Sequence, residues 1–400
     1  MADIGVSVIV RHYKSIKTAL RKGNLSGTFV VAKYRFSPYM ACEHGCLYCD
    51  GRAEKYYVEG QFDRDIVIRP NLPEVLDIEL SKLREKGVVS IGSGVSDPYQ
   101  PAESKELLMQ ESARTLLRHR FPAAVLTKSS LILNDIDLWA ELNDKAGFLL
   151  AVSLVFTDDD LRRTFEPRAA SVEQRLETLR AFKSAGCSVG VLAMPFMPFI
   201  GDSEDSLRRL FAALAEVGVD FIMPGSLTLR PGRQKDIYMK LIADRYPEML
   251  DRFRNLYSEE RQSGAPLLSY QNELNDRFSR IVRECGISWL VPHHHYKGIL
   301  QIYDEVNVLL HHMAELYSDR GIGTGSLKKA VKRYMNWLVA RKREYNRRRS
   351  LSYDTLDQEL KDLLLSGELA TVIGNRKLCG FLEDIIINRK TFDYVDLKAR

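Results

Sequence analysis

Long apolar runs are missing from this 400-residue chain: none approaches the ~18–20 residues that cross a bilayer, so a membrane span is not expected. The opening MADIGVSVIVRHYKS has neither the apolar core nor the small-residue cleavage site of a secretory signal. A reducing cytoplasm is therefore the expected compartment, where cysteines hold metal or do redox chemistry more often than they form structural disulfides. There is no Gly-rich dinucleotide fingerprint, no internal repeat and no clear linker. Acids are scarce in one place: residues 320–350 contain eleven Lys/Arg against the single acid Glu344. That local +10 against a whole-chain +5 leaves about −5 for the rest, a mildly acidic body with a basic segment near one end.

What is present is the composition of a globular protein, 45% hydrophobic and 28% charged, long enough for one large domain or two ordinary ones. From Thr28 to Leu227, short β-rich runs alternate with amphipathic helical stretches. The candidate strands are Thr28–Tyr34, Val88–Gly92, Ala123–Thr127, Phe148–Val155, Ser188–Met194 and Val219–Leu227. In SVEQRLETLRAFKSAG, Val172, Leu176, Leu179 and Phe182 share a face, Ser171 and Gln174 make a capping box, and Gly186 stops the helix. SEDSLRRLFAALAEVG turns Leu207, Leu210, Phe211, Leu214 and Val217 inward in the same way. Such alternation predicts an α/β fold, a parallel sheet with covering helices, and six units suit a partial (β/α)6 TIM-like barrel better than a Rossmann sheet. Beyond residue 230 helical patterns dominate, at 299–316, 327–348 and 356–365. The expected division is an N-terminal extension (1–27), the barrel core (28–230) and a mainly helical C-terminal region (231–400).

Cys42, Cys46 and Cys49 stand C-x3-C-x2-C within SPYMACEHGCLYCDGR, in a loop that Pro38 and Gly45 keep out of regular helix. Three thiolates this close converge on one metal centre. A closed structural zinc site wants four ligands, and the nearest fourth, His44, lies strained inside the loop. An iron–sulfur cubane held by three cysteines leaves one iron open. Spacing alone leaves cluster, zinc and unligated loop all standing.

With Tyr48 just before the last cysteine, the triplet resembles the signature of the radical S-adenosylmethionine (radical SAM) superfamily. Further blocks are similar, in order, to the branch containing spore photoproduct lyase: GSGVSDPYQPAE (92–103), VLTKSS (125–130), AVSLVFTDDDLRRTFEPRAASVEQRLETLRAFKSAG (151–186) and GVLAMPFMPFIGD (190–202). The resemblance implies a [4Fe–4S] cluster on Cys42, Cys46 and Cys49, whose open iron chelates S-adenosylmethionine, and an electron donor such as flavodoxin or ferredoxin. It implies reductive cleavage to a 5′-deoxyadenosyl radical that abstracts hydrogen from a substrate. Carried over by position, Ser96 and Asp97 hold the cofactor's amino group, Lys128 and Ser153 bind its carboxylate or ribose, and Tyr48 lies beside it. Glu166 and Arg168 of FEPR are expected either to pair and fix the loop or to touch the cofactor. Two departures stand out. Gly94 occupies the position where spore photoproduct lyase has its hydrogen-donor cysteine, so repair of that photoproduct is not expected. Asp50 stands where relatives commonly have Tyr.

Of the remaining cysteines, Cys187 reads as core and Cys379 is isolated. Cys285 is the candidate hydrogen donor, since His293, His294 and His295 follow it and the group suits either metal or a polar loop. Of His311 and His312, at most one can face inward. The segment 327–349 reads as a helix with an apolar stripe of Val331, Tyr334, Met335, Leu338 and Val339. Tyr334, Trp337 and Tyr345 are interleaved among cations. Lys328, Lys329, Lys332, Arg333, Arg341, Lys342, Arg343, Arg347 and Arg348 are candidate nucleic-acid contacts, the alternative being a solvated face. The expected function is therefore a radical SAM enzyme, lyase or transferase-like, acting on a DNA lesion or an RNA base. The alternatives are a radical SAM enzyme for a peptide or small molecule, and a non-catalytic iron–sulfur protein that binds nucleic acid.

Overall fold

A computed structural model of the chain describes residues 8–23, 25, 29–92, 95–348 and 350–400. Six strands, flanked at one edge by the two-residue strand Arg21–Lys22, form one sheet: β1 (Tyr34–Phe36), β2 (Val89–Ile91), β3 (Ala123–Thr127), β4 (Phe148–Ser153), β5 (Ser188–Phe196) and β6 (Phe221–Ser226). They run in the order β6-β5-β4-β3-β2-β1, and the pairs from β2 to β6 are all parallel. Because this order never reverses, right-handed crossovers lay every connecting helix on the same face. The result is a partial TIM-like barrel, not a doubly wound sheet. β4 is buried along Phe148–Val152, as a parallel strand covered on both sides must be.

The helices between the strands are α1 (Leu72–Lys82), α2 (Leu108–His119), α3 (Ile136–Lys145), α4 (Asp159–Phe165), α5 (Val172–Ser184) and α6 (Glu204–Val217). α5 opens on the expected capping box of Ser171 and Gln174. α6 buries the five residues expected of it and stops at Gly218, φ 77°. Trp139 stacks on Phe148 at 4.8 Å, and Phe148 meets Phe182 at 5.8 Å, tying α3 and α5 to β4. In β5, a Cβ on Gly190 would lie 2.1 Å from the Phe221 ring, so β6 can approach only a glycine there.

The first expected strand is displaced. Val31 has φ 53°, a left-handed conformation that a β-branched residue resists, so the chain turns there and extended structure begins at Tyr34; Thr28 lies outside the described residues.

The chain divides into two compact units, Met1–Arg21 with Arg35–Ser81 and Val89–Trp289, and Lys22–Tyr34 with Lys82–Val88 and Leu290–Arg400. The expected boundary at residue 230 thus falls inside the first unit. The reason is that α7 (Arg233–Arg245) and α8 (Leu268–Glu284) have cores to fill there. Tyr238 and Ile242 pack with Phe156, Phe165 and Met197, and Phe278 meets Phe211 edge-on at 5.2 Å. Nor is the N-terminal stretch only an extension. Val10–Tyr13 pairs in parallel with Asp65–Ile68, which pairs antiparallel with Tyr39–Met40. The second unit is mainly helical: α9 (Ile302–Asp319), α10 (Gly325–Arg347), α11 (Tyr353–Leu365) and α12 (Arg376–Ile386), with a two-stranded ribbon of Phe392–Asp393 and Lys398–Ala399. Among the described residues no helix is long and apolar enough to cross a membrane.

Candidate metal and cofactor site

The cysteine loop follows Tyr39–Met40 and turns twice through the left-handed region, at Ala41 (φ 69°) and Gly45 (φ 67°). Glycine is needed at position 45, since a Cβ there would stand 2.5 Å from the Arg168 guanidinium. Side chains from elsewhere hold the loop's carbonyls. Ser96 Oγ donates to Ala41 O at 3.0 Å, and Arg52 donates to Gly45 O and Cys46 O, both at 2.9 Å. Arg168 donates from its Nε to Glu43 O and from its backbone N–H to His44 O.

No disulfide joins these cysteines; all six in the chain are free. Cys42 and Cys46 are buried and Cys49 is nearly so. Burial pushes the Cys42 thiol up, with Asp97, Cys46 and Cys49 adding to it, while the His44 backbone N–H donates to it and opposes the rise. Cys46 is pushed up to about 12, first by burial and then by Glu166, against the pull of Lys128. Cys49 is raised by burial and accepts the Gly51 N–H. The three thiols therefore share one buried pocket, two of them facing backbone donors and the third a lysine.

The strand ends supply the rest. Asp97 accepts from Thr127 Oγ1 (2.7 Å), Lys128 N (2.7 Å) and Tyr99 N (2.9 Å), and lies 3.4 Å from His44 Nδ1. Burial opposes its charge, but His44 and these donors hold its carboxyl below the usual range. Lys128 follows β3, and its ammonium has no ion pair among the described residues. Burial works against its charge, yet Cys46, Glu166 and Asp97 outweigh this and raise its pKa. Ser153 ends β4, its carbonyl accepting from Arg175 at 2.9 Å. Beneath lies a wholly buried chain: Tyr48 donates its hydroxyl to Glu166, which pairs with Arg175. Burial disfavours the Glu166 charge, but Arg175 and Lys128 keep the carboxyl below its ordinary range.

A protein-family model, Radical SAM superfamily, matches residues 36–214. An uncharacterized protein of Mycobacterium tuberculosis is 30% identical over 257 residues, 62% of this chain and 74% of that protein. One from Methanocaldococcus jannaschii is 28% identical over 174 residues, 43% of this chain and 64% of that one. Spore photoproduct lyase complexed with dinucleoside spore photoproduct superimposes with TM-score 0.51 at 18% identity, over 68% of this chain and 79% of that one. This chain belongs to the radical SAM superfamily. The family works with a [4Fe–4S] cluster and S-adenosylmethionine, and the residues present fit both. Three free thiols share a pocket with no fourth cysteine in the loop, and His44 Nδ1 lies 3.4 Å from Asp97.

Other expectations for this radical SAM chain meet the structure as follows. Glu166 pairs with Arg175, not Arg168, which instead reaches Asp63 at 3.0 Å. Tyr48 spends its hydroxyl proton on Glu166, so it has none to donate to a cofactor. Asp50 is explained by Arg230, 2.6 Å away, and by the Tyr56 hydroxyl. Gly94 lies outside the described residues. Cys285 caps the C-terminal end of α8, and Ser288, three residues on, pairs with Phe221 at the start of β6. The thiol therefore sits at the opposite end of the strands from the cysteine loop, which removes it as a hydrogen donor there. Cys187 is core, as expected.

In the second unit, His293 is structural. Its Nδ1 accepts from Phe392 N at 3.0 Å, which leaves Nε2–H to donate to Glu305 at 2.9 Å. His312 is buried, with Tyr394 OH 2.8 Å from its Nδ1, and His311 is the outer of the two. On α10, Leu327, Ala330, Val331, Tyr334, Leu338 and Tyr345 are buried, whereas Val339 is exposed, contrary to expectation. Three of the candidate cations are held in ion pairs. Lys342 lies 2.8 Å from Glu85 and 3.0 Å from Asp304, in a cluster shared with Lys33, and Arg341 pairs with Glu344 and Glu359. Arg348 pairs with Glu344 at 3.3 Å, and the Arg333 guanidinium lies against Gly374. Lys328, Lys329, Lys332, Arg343 and Arg347 are exposed with no ion pair among the described residues. At 100° per residue they fall within an arc of about 100°.

Sequence reading missed Arg52, Gln100 and Arg175. Arg175 left a trace: it falls within the apolar stripe of α5, where an arginine calls for a buried partner.

Proposed function

We propose that Cys42, Cys46 and Cys49 hold the [4Fe–4S] cluster of a cytoplasmic radical SAM enzyme that takes hydrogen from a nucleic acid. The observation that carries the site is the convergence of two buried thiols and a third, partly buried one with Lys128 at the C-terminal ends of the strands, where such barrels place their chemistry. When bound, cluster and cofactor together supply a 5′-deoxyadenosyl radical. The chain's own residues bind and exclude. Lys128 offers a carboxylate an unpaired ammonium, and the Ser153 hydroxyl stands at the next strand end. Ser96 and Asp97 frame the cofactor's amino end while Asp97 keeps the first residues after β3 in place. Tyr48, Glu166 and Arg175 form the dry floor. An electron donor such as flavodoxin or ferredoxin completes the requirements.

The choice of nucleic acid rests on α10, whose outward face offers five cations and no acid, together with the dinucleoside bound by the spore photoproduct lyase of similar fold. Gly94 in the donor position argues for a substrate other than that photoproduct. Incubation of the reduced holoenzyme with deuterated DNA, RNA and peptide pools tests the reading. Deuterium should enter 5′-deoxyadenosine from a nucleic acid. Transfer from peptide alone would overturn the substrate class. Lys128→Ala should raise the Kd for S-adenosylmethionine by at least tenfold while leaving iron content unchanged, as equilibrium dialysis will show.

A further inference from the structure

Gln100 has no place in the scheme so far, yet its side chain is wholly buried against the cysteine loop. Its carboxamide oxygen accepts from Glu43 N at 2.7 Å, and its Nε2 donates to Ala41 O at 3.3 Å. Residues 41 and 43 are the two neighbours of Cys42. One amide group therefore grips the backbone immediately before and immediately after the first cysteine. The assignment of oxygen and nitrogen follows from the partners, since an N–H must face the oxygen and a carbonyl the NH2.

The backbone at this point needs holding. Ala41 adopts φ 69°, a left-handed conformation that a non-glycine residue leaves unless its surroundings over-determine it. Its carbonyl is fixed twice, by Gln100 and by Ser96 Oγ at 3.0 Å. Cys46 and Cys49 are secured by other groups: Arg52 on the carbonyls of Gly45 and Cys46, and Gln234 on the carbonyl of Tyr48 at 2.9 Å. Around Cys42 its own N–H donates to Phe62 O at 3.2 Å and Arg168 holds the Glu43 carbonyl, while the one side chain that grips both flanking peptides, Gln100, comes from the segment after β2. Glutamine is the side chain that answers both backbone groups. Glutamate of the same length keeps the acceptor and loses the donor.

We infer that Gln100 is a positioning residue that sets the direction of the Cys42 thiol toward the cluster, so that the SDPYQP segment serves the metal as well as the cofactor. The inference rests on the assignment of the cluster to Cys42, Cys46 and Cys49. Partners that orient metal ligands typically contribute 10–100-fold to metal affinity.

The test uses the full-length protein with its cluster reconstituted anaerobically. Iron and sulfide per chain, the rate of iron loss to a chelator, and the electron paramagnetic resonance spectrum of the reduced cluster are measured for wild type, Gln100→Ala and Gln100→Glu. Gln100→Ala should lose iron at least tenfold faster with an altered spectrum, and Gln100→Glu should fall between it and wild type. Melting of the cluster-free proteins separates this from misfolding. Should Gln100→Ala fail to fold, the near-isosteric Gln100→Glu decides. Wild-type iron retention and an unchanged spectrum in every folded variant would overturn the inference. A wild type that takes up no iron and sulfide would instead overturn the cluster assignment on which it stands.

Discussion

Arg175 and Glu166 face each other with no exposure to solvent, beneath the cysteine loop and between Tyr48 and the end of β4. Removing one member of such a pair strands a buried charge, at a cost of about 3–5 kcal/mol. Arg175→Met should therefore lower the stability of the first unit by that order in chemical denaturation. Glu166→Gln with Arg175→Met should recover part of it, because neither charge is then left alone. At this scale the sequence was informative wherever spacing along the chain carries the chemistry. The cysteine triplet is local, and Lys128 follows, and Ser153 ends, strands that could be counted. It was silent on Gln100 and misdirected on Arg168, because those partners are set by which loops the barrel brings together. Arg168 is two residues from Glu166 in sequence, yet the pair forms with Arg175 on the next helix.

Among the elements, α10 separates two kinds of cation that look alike in sequence. Lys342 sits in a buried network with Glu85, Asp304 and Lys33, with Tyr303 donating to Glu85 at 2.9 Å. Lys328, Lys332, Arg343 and Arg347 face outward. Replacing these four by Glu should weaken nucleic-acid binding and flatten its salt dependence, by roughly one unit of slope per phosphate contact removed. Lys342→Met should leave that slope unchanged and lower the stability of the second unit instead. Filter binding across a salt series, beside denaturation, distinguishes the two. The amphipathic helix was legible because its apolar residues recur at helical spacing. The burial of Lys342 was not, since its partners lie some forty and more than two hundred and fifty residues away.

Across the whole molecule, the parallel β/α order was legible because strands covered on both faces read as continuous apolar runs. The division into units was not. α7 and α8 have the same helical pattern as the segments after them, and only their burial against Phe156, Met197 and Phe211 assigns them to the first unit. The second unit carries a pH dependence of its own. Burial, then His311 and His293, drive the His312 imidazole down to about 3 from an ordinary 6.5. The unfolded chain takes up a proton near 6.5 that the folded one refuses until about 3. This stability is thus fully present above about 6.5 and declines as pH falls toward 3, by up to ~1.4 kcal/mol per pH unit. Thermal melts between pH 7 and 4 should show the second unit losing stability over that window, and His312→Asn should flatten the slope.

The central claim is that the three-cysteine loop belongs to a working radical generator. Its most direct test is to reconstitute the cluster anaerobically, reduce it, add S-adenosylmethionine and measure 5′-deoxyadenosine. The account predicts 5′-deoxyadenosine from the wild type and none from Cys46→Ala. An intact, reduced cluster that yields no 5′-deoxyadenosine would contradict it.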